Sequence, residues 1–194
     1  MAFNVNEFIT GYMEYDGFRP NLFEVSFTNF ISSETLIRAK STSIPSSSIG
    51  SARTSYFGRT SKFAGNRSFP NWTATFLMDE PDFALGIRGQ FETWMARINK
   101  HQFNQRVPSA VTPQVPTLAN INGYFSDITL NVYSKNNTIN TTYTLWYAFP
   151  TSVSAISLDW GANDSIAEFS VTFAYQWWEK LVNYPVEDTK PINL

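Results

Sequence analysis

The sequence contains no cysteine and a single histidine, His101. The first absence excludes disulfides, thiolate nucleophiles and thiolate metal sites. The second leaves any hydrolytic triad one imidazole to work with. His101 follows a predicted helix at the head of a proline-containing stretch, with no serine nucleophile motif beside it, and reads as a surface histidine. Charge is also scarce: 15% of residues are charged, against about 25% in an average soluble domain. The net charge of −2 supplies no basic field to attract nucleic acid. No apolar run approaches the roughly 20 residues needed to cross a bilayer. The N-terminal stretch lacks the basic and then apolar regions of a secretion signal. The expected setting is therefore the cytoplasm, or an assembly built there. Neither GxxxxGK[ST] nor GxGxxG occurs, so no phosphate loop is available.

Carboxylates do not fill the gap left by these absences. Asp79, Glu80 and Asp82 suit the start of a predicted helix, and Glu187 with Asp188 suits a solvated tail. Asp159 and Asp164 flank Gly161 in a turn-like stretch whose spacing departs from a calcium loop and lacks its terminal glutamate. No catalytic constellation emerges, and no cofactor or metal is called for.

What the chain has in excess is aromatic surface. Seventeen Phe, nine Tyr and six Trp make 16% of its 194 residues. Two readings follow from this: a dense β core, or a surplus buried against other subunits, where aromatic residues are enriched.

Period-two alternation, the mark of half-buried strands, recurs along the chain. In residues 168–177 it places Phe169, Val171, Phe173, Tyr175 and Trp177 on one face. Residues 138–149 do the same with Ile139, Tyr143, Leu145, Tyr147 and Phe149, and residues 124–133 with Ile128, Leu130 and Val132. Lys135-Asn136-Asn137 supplies hairpin turn chemistry between the last two. Further strands fit residues 21–30 and 72–78. From Asp82 to Lys100 the period changes: Phe83, Ile87, Phe91, Trp94, Met95 and Ile98 form one helical stripe, expected to lie over a sheet. A weaker helix fits Val5 to Met13. The whole chain, 1–194, reads as one mainly β domain, with a long loop at 101–123 and a C-terminal extension at 180–194.

Charge is distributed unevenly. Between Thr35 and Phe69 stand Arg38, Lys40, Arg53, Arg59, Lys62 and Arg67 without one acid, whereas from Leu158 onward six acids face two lysines. Complementary patches that meet between subunits would use this asymmetry for orientation. Neutralisation within a monomer would use it equally well.

Three blocks of residues resemble the tail tube proteins of T4-like contractile phages. They are Arg19-Pro20-Asn21-Leu22-Phe23-Glu24-Val25; Ala64 to Thr75 followed by Met78-Asp79-Glu80; and Phe149-Pro150-Thr151-Ser152-Val153 through Leu158-Asp159-Trp160 to Ile166–Thr172 and Trp177-Trp178-Glu179. Their order and spacing follow the family over most of the chain, and none is a catalytic signature. The resemblance implies a non-enzymatic virion protein: an antiparallel β-sandwich or partial barrel with one flanking helix. It also implies closure of copies into hexameric rings around an inter-subunit β-barrel, and head-to-tail stacking of rings into a tube for DNA ejection. Type VI secretion tube subunits are similar in fold. The partners implied are the chain itself, the tail sheath, baseplate and tail terminator proteins, and a tape measure protein and DNA held in the lumen without sequence specificity.

In that setting residues 44–65 become an extended hairpin around Gly58, and Arg53, Tyr56, Phe57, Arg59 and Lys62 become candidate inter-subunit contacts. A lumen for DNA should avoid strong positive charge. The faces carrying Ser170, Thr172 and Gln176, or Asn140, Thr142 and Thr144, suit it, as they suit an outer solvent face. The 101–123 loop and the 180–194 tail exceed the family pattern. A tube-initiating baseplate ring is the alternative role, and a carbohydrate-binding β-sandwich module the rival from another class.

Overall fold

The computed structural model describes residue 5 and residues 18–31, 38–78, 86–102, 123–163 and 165–182. Nine strands and one helix are found there, in the order β1 (Phe23–Phe27), β2 (Ala39–Thr42), β3 (Ser48–Tyr56), β4 (Arg59–Ser68), β5 (Trp72–Leu77), α1 (Ile87–Ile98), β6 (Ser126–Tyr133), β7 (Ile139–Val153), β8 (Glu168–Ala174) and β9 (Trp177–Val182). All pairings are antiparallel. Seven strands form one bent sheet in the order β1-β6-β7-β8-β5-β2, with β9 also on β7, while β3 and β4 pair only with each other.

The bend lies in β7, a strand of 15 residues. Its first half pairs with β6 on one side and with β9 on the other. Its second half, Phe149 to Val153, pairs with β8. Opposite β6, the step from Ile128↔Leu145 to Ser126↔Ala148 places one extra residue on β7, a bulge of the kind that turns a strand from one sheet into the next. Tyr147 sits in it with a left-handed φ of 54°, and the Asp127 carboxylate accepts its backbone N–H at 3.0 Å. The two halves of the sheet therefore face each other as a sandwich, open between the edge strands β1 and β2.

This bulge corrects the expected face of β7. Tyr143 and Leu145 are buried as the alternation predicts, but beyond the bulge Ala148 and Pro150 point inward, while Tyr147 and Phe149 are only partly buried. One inserted residue exchanges the two faces of a strand. A second slip follows at Tyr175-Gln176, where β8 stops and β9 begins. Phe169, Val171, Phe173 and Tyr175 are buried, but Trp177 is 39% exposed, and Trp178 packs against the core in its place. The predicted C-terminal extension accordingly begins within β9, which runs to Val182 along β7.

The core is an aromatic lattice. Phe91, on the inward stripe of α1, lies 5.2 Å from Phe76, 5.6 Å from Phe27 and 5.7 Å from Phe173, ring centre to ring centre. Such contacts add about 0.5–1.5 kcal/mol per pair to the area they bury. Two buried indoles satisfy their N–H groups: Trp94 donates to the carbonyl of Tyr124 at 2.7 Å and Trp72 to that of Ser43 at 2.6 Å. The described helix is shorter than the stripe from Asp82 to Lys100, and starts after Gly86 without a side-chain cap. Residues 79–85, which carry the proposed N-terminal acids, lie outside the described residues, as do residues 6–13 of the weaker helix and most of the 101–123 loop. The β6–β7 hairpin turns where expected, with Asn137 left-handed at φ 58°.

Candidate assembly surface

Among the described residues, β3 and β4 share no ladder with the main sheet. Every residue of β3 and β4 is exposed. An isolated two-stranded hairpin is marginal in water at best, and these strands of 9 and 10 residues bury neither face among the described residues.

Local chemistry explains why the segment pairs with itself. Tyr56↔Arg59 is the last pair of the ladder, which leaves Phe57-Gly58 as a two-residue loop. Both loop residues have positive φ, 48° and 75°, the type I′ arrangement whose twist matches that of the strands. Near the base, the register steps from Ile49↔Arg67 to Ser51↔Ala64, placing an extra residue on β4. There the two backbones come so close that a Cβ on Gly65 would lie 3.0 Å from the carbonyl carbon and oxygen of Gly50. Hydroxyl pairs Ser48–Ser68 at 2.8 Å and Ser55–Thr60 at 3.3 Å cross the ladder.

All five predicted contact residues lie on this hairpin, and the register sorts them by face. Tyr56, Arg59 and Phe63 share one face; Arg53 and Lys62 share the other, directly opposite each other. Phe57 crowns the loop at 90% exposure, its ring edge-on to Tyr56 with centres 4.5 Å apart. Asn is the residue that the first loop position favours. A bulky aromatic with φ above zero is an outlier, so Phe57 is held there at a conformational cost. Arg53 opposite Lys62 is a like-charge pair, destabilising in an isolated ladder, and among the described residues no carboxylate pairs with either.

A second exposed apolar feature was not singled out as a surface in the sequence. In the loop between β7 and β8, Trp160 is fully exposed, Leu158 is 94% exposed and Ile166 67%. The Asp159 carboxylate orders this loop by accepting the Gly161 N–H at 2.9 Å. The available signal was the block Leu158-Asp159-Trp160 itself, where the alternation of Ile156, Leu158 and Trp160 runs into the turn residue Gly161.

Among the described residues no group of three His, Asp or Glu side chains converges as metal ligands would. No described helix is long and apolar enough to cross a membrane.

Known proteins resemble the chain along most of its length. The family model for phage tail tube proteins matches residues 4–181. The tail tube protein gp19 of Enterobacteria phage T4 is 29% identical over 164 residues, covering 83% of this chain and 90% of that protein. The tail tube protein of Serratia phage KSP90 is 26% identical over 156 residues, 78% of this chain and 80% of that one. In fold, a chain of the anti-feeding prophage baseplate superposes with a TM-score of 0.63 at 17% identity, covering 86% of this chain and 97% of that chain. A chain of the sheath–tube complex of the PVC extracellular contractile injection system gives 0.57 at 20% identity, over 94% and 100%. Matched over residues 4–181 by the family model, this mainly β chain is a member of the phage tail tube protein family and a structural component of the virion.

Proposed function

We propose that this chain builds the inner tube of a contractile tail as stacked homohexameric rings, and that it does so without catalysing a reaction. The observation that carries the reading is the wholly exposed hairpin Ser48–Ser68, which pairs with no other strand among the described residues. The open edges at β1, β2 and β9 support the second half of the reading. Edge strands invite pairing, and lateral union of neighbouring copies completes a barrel around a channel. In the head-to-tail direction the contact is heterologous and does not close, so it propagates. Arg53, Tyr56, Phe57, Arg59 and Lys62 contact adjacent subunits in this scheme. The fold-level relatives include a baseplate solved with six-fold symmetrisation, a sheath–tube complex in the extended state and a sheath/tube terminator. They support sheath, baseplate and terminator proteins as partners of this chain, with tape measure protein and DNA in the lumen.

Negative-stain microscopy of the purified protein tests the reading. Long tubes are expected, and charge reversal of Arg59 and Lys62 together should shorten them severalfold. A stable wild-type monomer, or tubes whose length is indifferent to the reversal, would contradict it. A second reading, a tube-initiating ring at the baseplate, draws on the TM-score of 0.63 to the baseplate chain against 0.57 to the sheath–tube chain. It predicts isolated rings that do not elongate.

A further inference from the structure

A head-to-tail polymer needs two different surfaces at opposite ends of each subunit, and the hairpin supplies only one. The pairing of β5 with β8 shows where the other lies. This ladder runs from Trp72↔Phe173 at one end to Leu77↔Glu168 at the other, a span of roughly 17 Å at about 3.3 Å per residue. The hairpin leaves from the first end. Phe69 packs on Tyr175 there, and Tyr175 and Trp178 both donate to the carbonyl of Ser46, just before β3. The Leu158–Ala167 loop leaves from the second end, entering β8 at Glu168, where Met78 donates to the carbonyl of Ala167.

We propose that the loop around Leu158, Asp159 and Trp160 is the receptor for the hairpin tip of a second copy of this chain. The inference rests on the tube reading and names the surface that reading leaves blank. Three observations converge on a second copy as the occupant. The two features leave opposite ends of one ladder, so copies repeated in one orientation bring unlike features together. Both are apolar and unburied: Phe57 and Tyr56 are 90% and 77% exposed, while Leu158 and Trp160 are 94% exposed and fully exposed. Aromatic anchors meeting apolar pockets are what dominate interface energetics. The charges also complement each other. Ser48–Ser68 carries Arg53, Arg59, Lys62 and Arg67 with no acid, and 154–167 carries Asp159 and Asp164 with no cation. The like-charged Arg53–Lys62 pair, unfavourable within the hairpin, gains a carboxylate when Asp159 of the next copy approaches it.

The absence of cysteine makes a direct test available. Ser55 near the tip and Ser157 beside Leu158 are both exposed, so S55C and S157C leave the anchors in place. Under tube-forming conditions, a mixture of the two single variants treated with a short bismaleimide should give a heterodimer, and the double variant a ladder of multimers. W160A introduced into the S157C chain should reduce the adduct at least ten-fold; Trp160 is fully solvent-exposed, so the monomer should stay folded. Wild-type tubes with no S55C–S157C adduct, or W160A tubes of unchanged length, would overturn the proposal while leaving the tube reading intact. A wild-type protein that forms neither tubes nor rings would overturn the tube reading, and this inference with it.

Discussion

Phe57 occupies a position that the folding of the monomer alone would give to asparagine. Its φ of 48° opens a type I′ turn, and its ring meets no core residue. A residue kept in an unfavourable conformation at a fully exposed site points to a role outside the monomer. Phe57→Asn separates the two demands. The resulting Asn-Gly turn should leave the melting temperature unchanged or raise it slightly, while tube formation should fall by an order of magnitude or more. Scanning calorimetry and light scattering on the same sample read both outcomes. Asp127 is the opposite case, a residue whose side-chain hydrogen bond lies within the fold. Its carboxylate holds the N–H of Tyr147 in the bulge, and Asp127→Ala should cost about 1–3 kcal/mol in denaturant unfolding, the price of leaving that donor unmet.

Individual elements divide into those that hold the monomer and those that do not. The helix α1 holds it: Phe91 is fully buried among Phe27, Phe76, Phe169 and Phe173. Phe91→Ala should destabilise by about 3–5 kcal/mol, measured by chemical denaturation. The β3–β4 hairpin does not. Replacing Ile49–Arg67 with a short Gly-Ser link should shift the melting temperature by no more than a few degrees, yet abolish the polymer. Legibility in the sequence followed the same division. Strands with steady alternation, β6 and β8, could be read directly from Ile128, Leu130 and Val132 and from Phe169, Val171 and Phe173. Tyr147, Phe149 and Trp177 were assigned to the wrong face because a bulge adds one residue without leaving a compositional mark. The four-residue β2 and the strand β9 escaped notice, since neither alternates cleanly. The hairpin followed from the family resemblance, since its Ser, Thr and Gly content alone reads as loop, and its strands span Ser48–Ser68 rather than 44–65. The receptor loop was not legible, because an exposed tryptophan in a turn looks the same in sequence as one that folds inward.

At the scale of the whole molecule, composition and architecture make one argument. The chain carries seventeen Phe, nine Tyr and six Trp; of those that are exposed among the described residues, Tyr56, Phe57 and Phe63 lie on the hairpin and Trp160 in the β7–β8 loop. Within the monomer the basic and acidic segments already meet where Lys40 pairs with Glu168, while the basic residues of the hairpin have no carboxylate partner among the described residues and are left to the proposed contact. The most direct measurement is a cryo-EM helical reconstruction of polymer assembled from the purified chain. The account predicts a tube of six-subunit rings in which each Ser48–Ser68 hairpin crosses to the next ring and seats Phe57 against Leu158 and Trp160. A polymer whose hairpins lie free in solvent, with rings stacked through other surfaces, would contradict it.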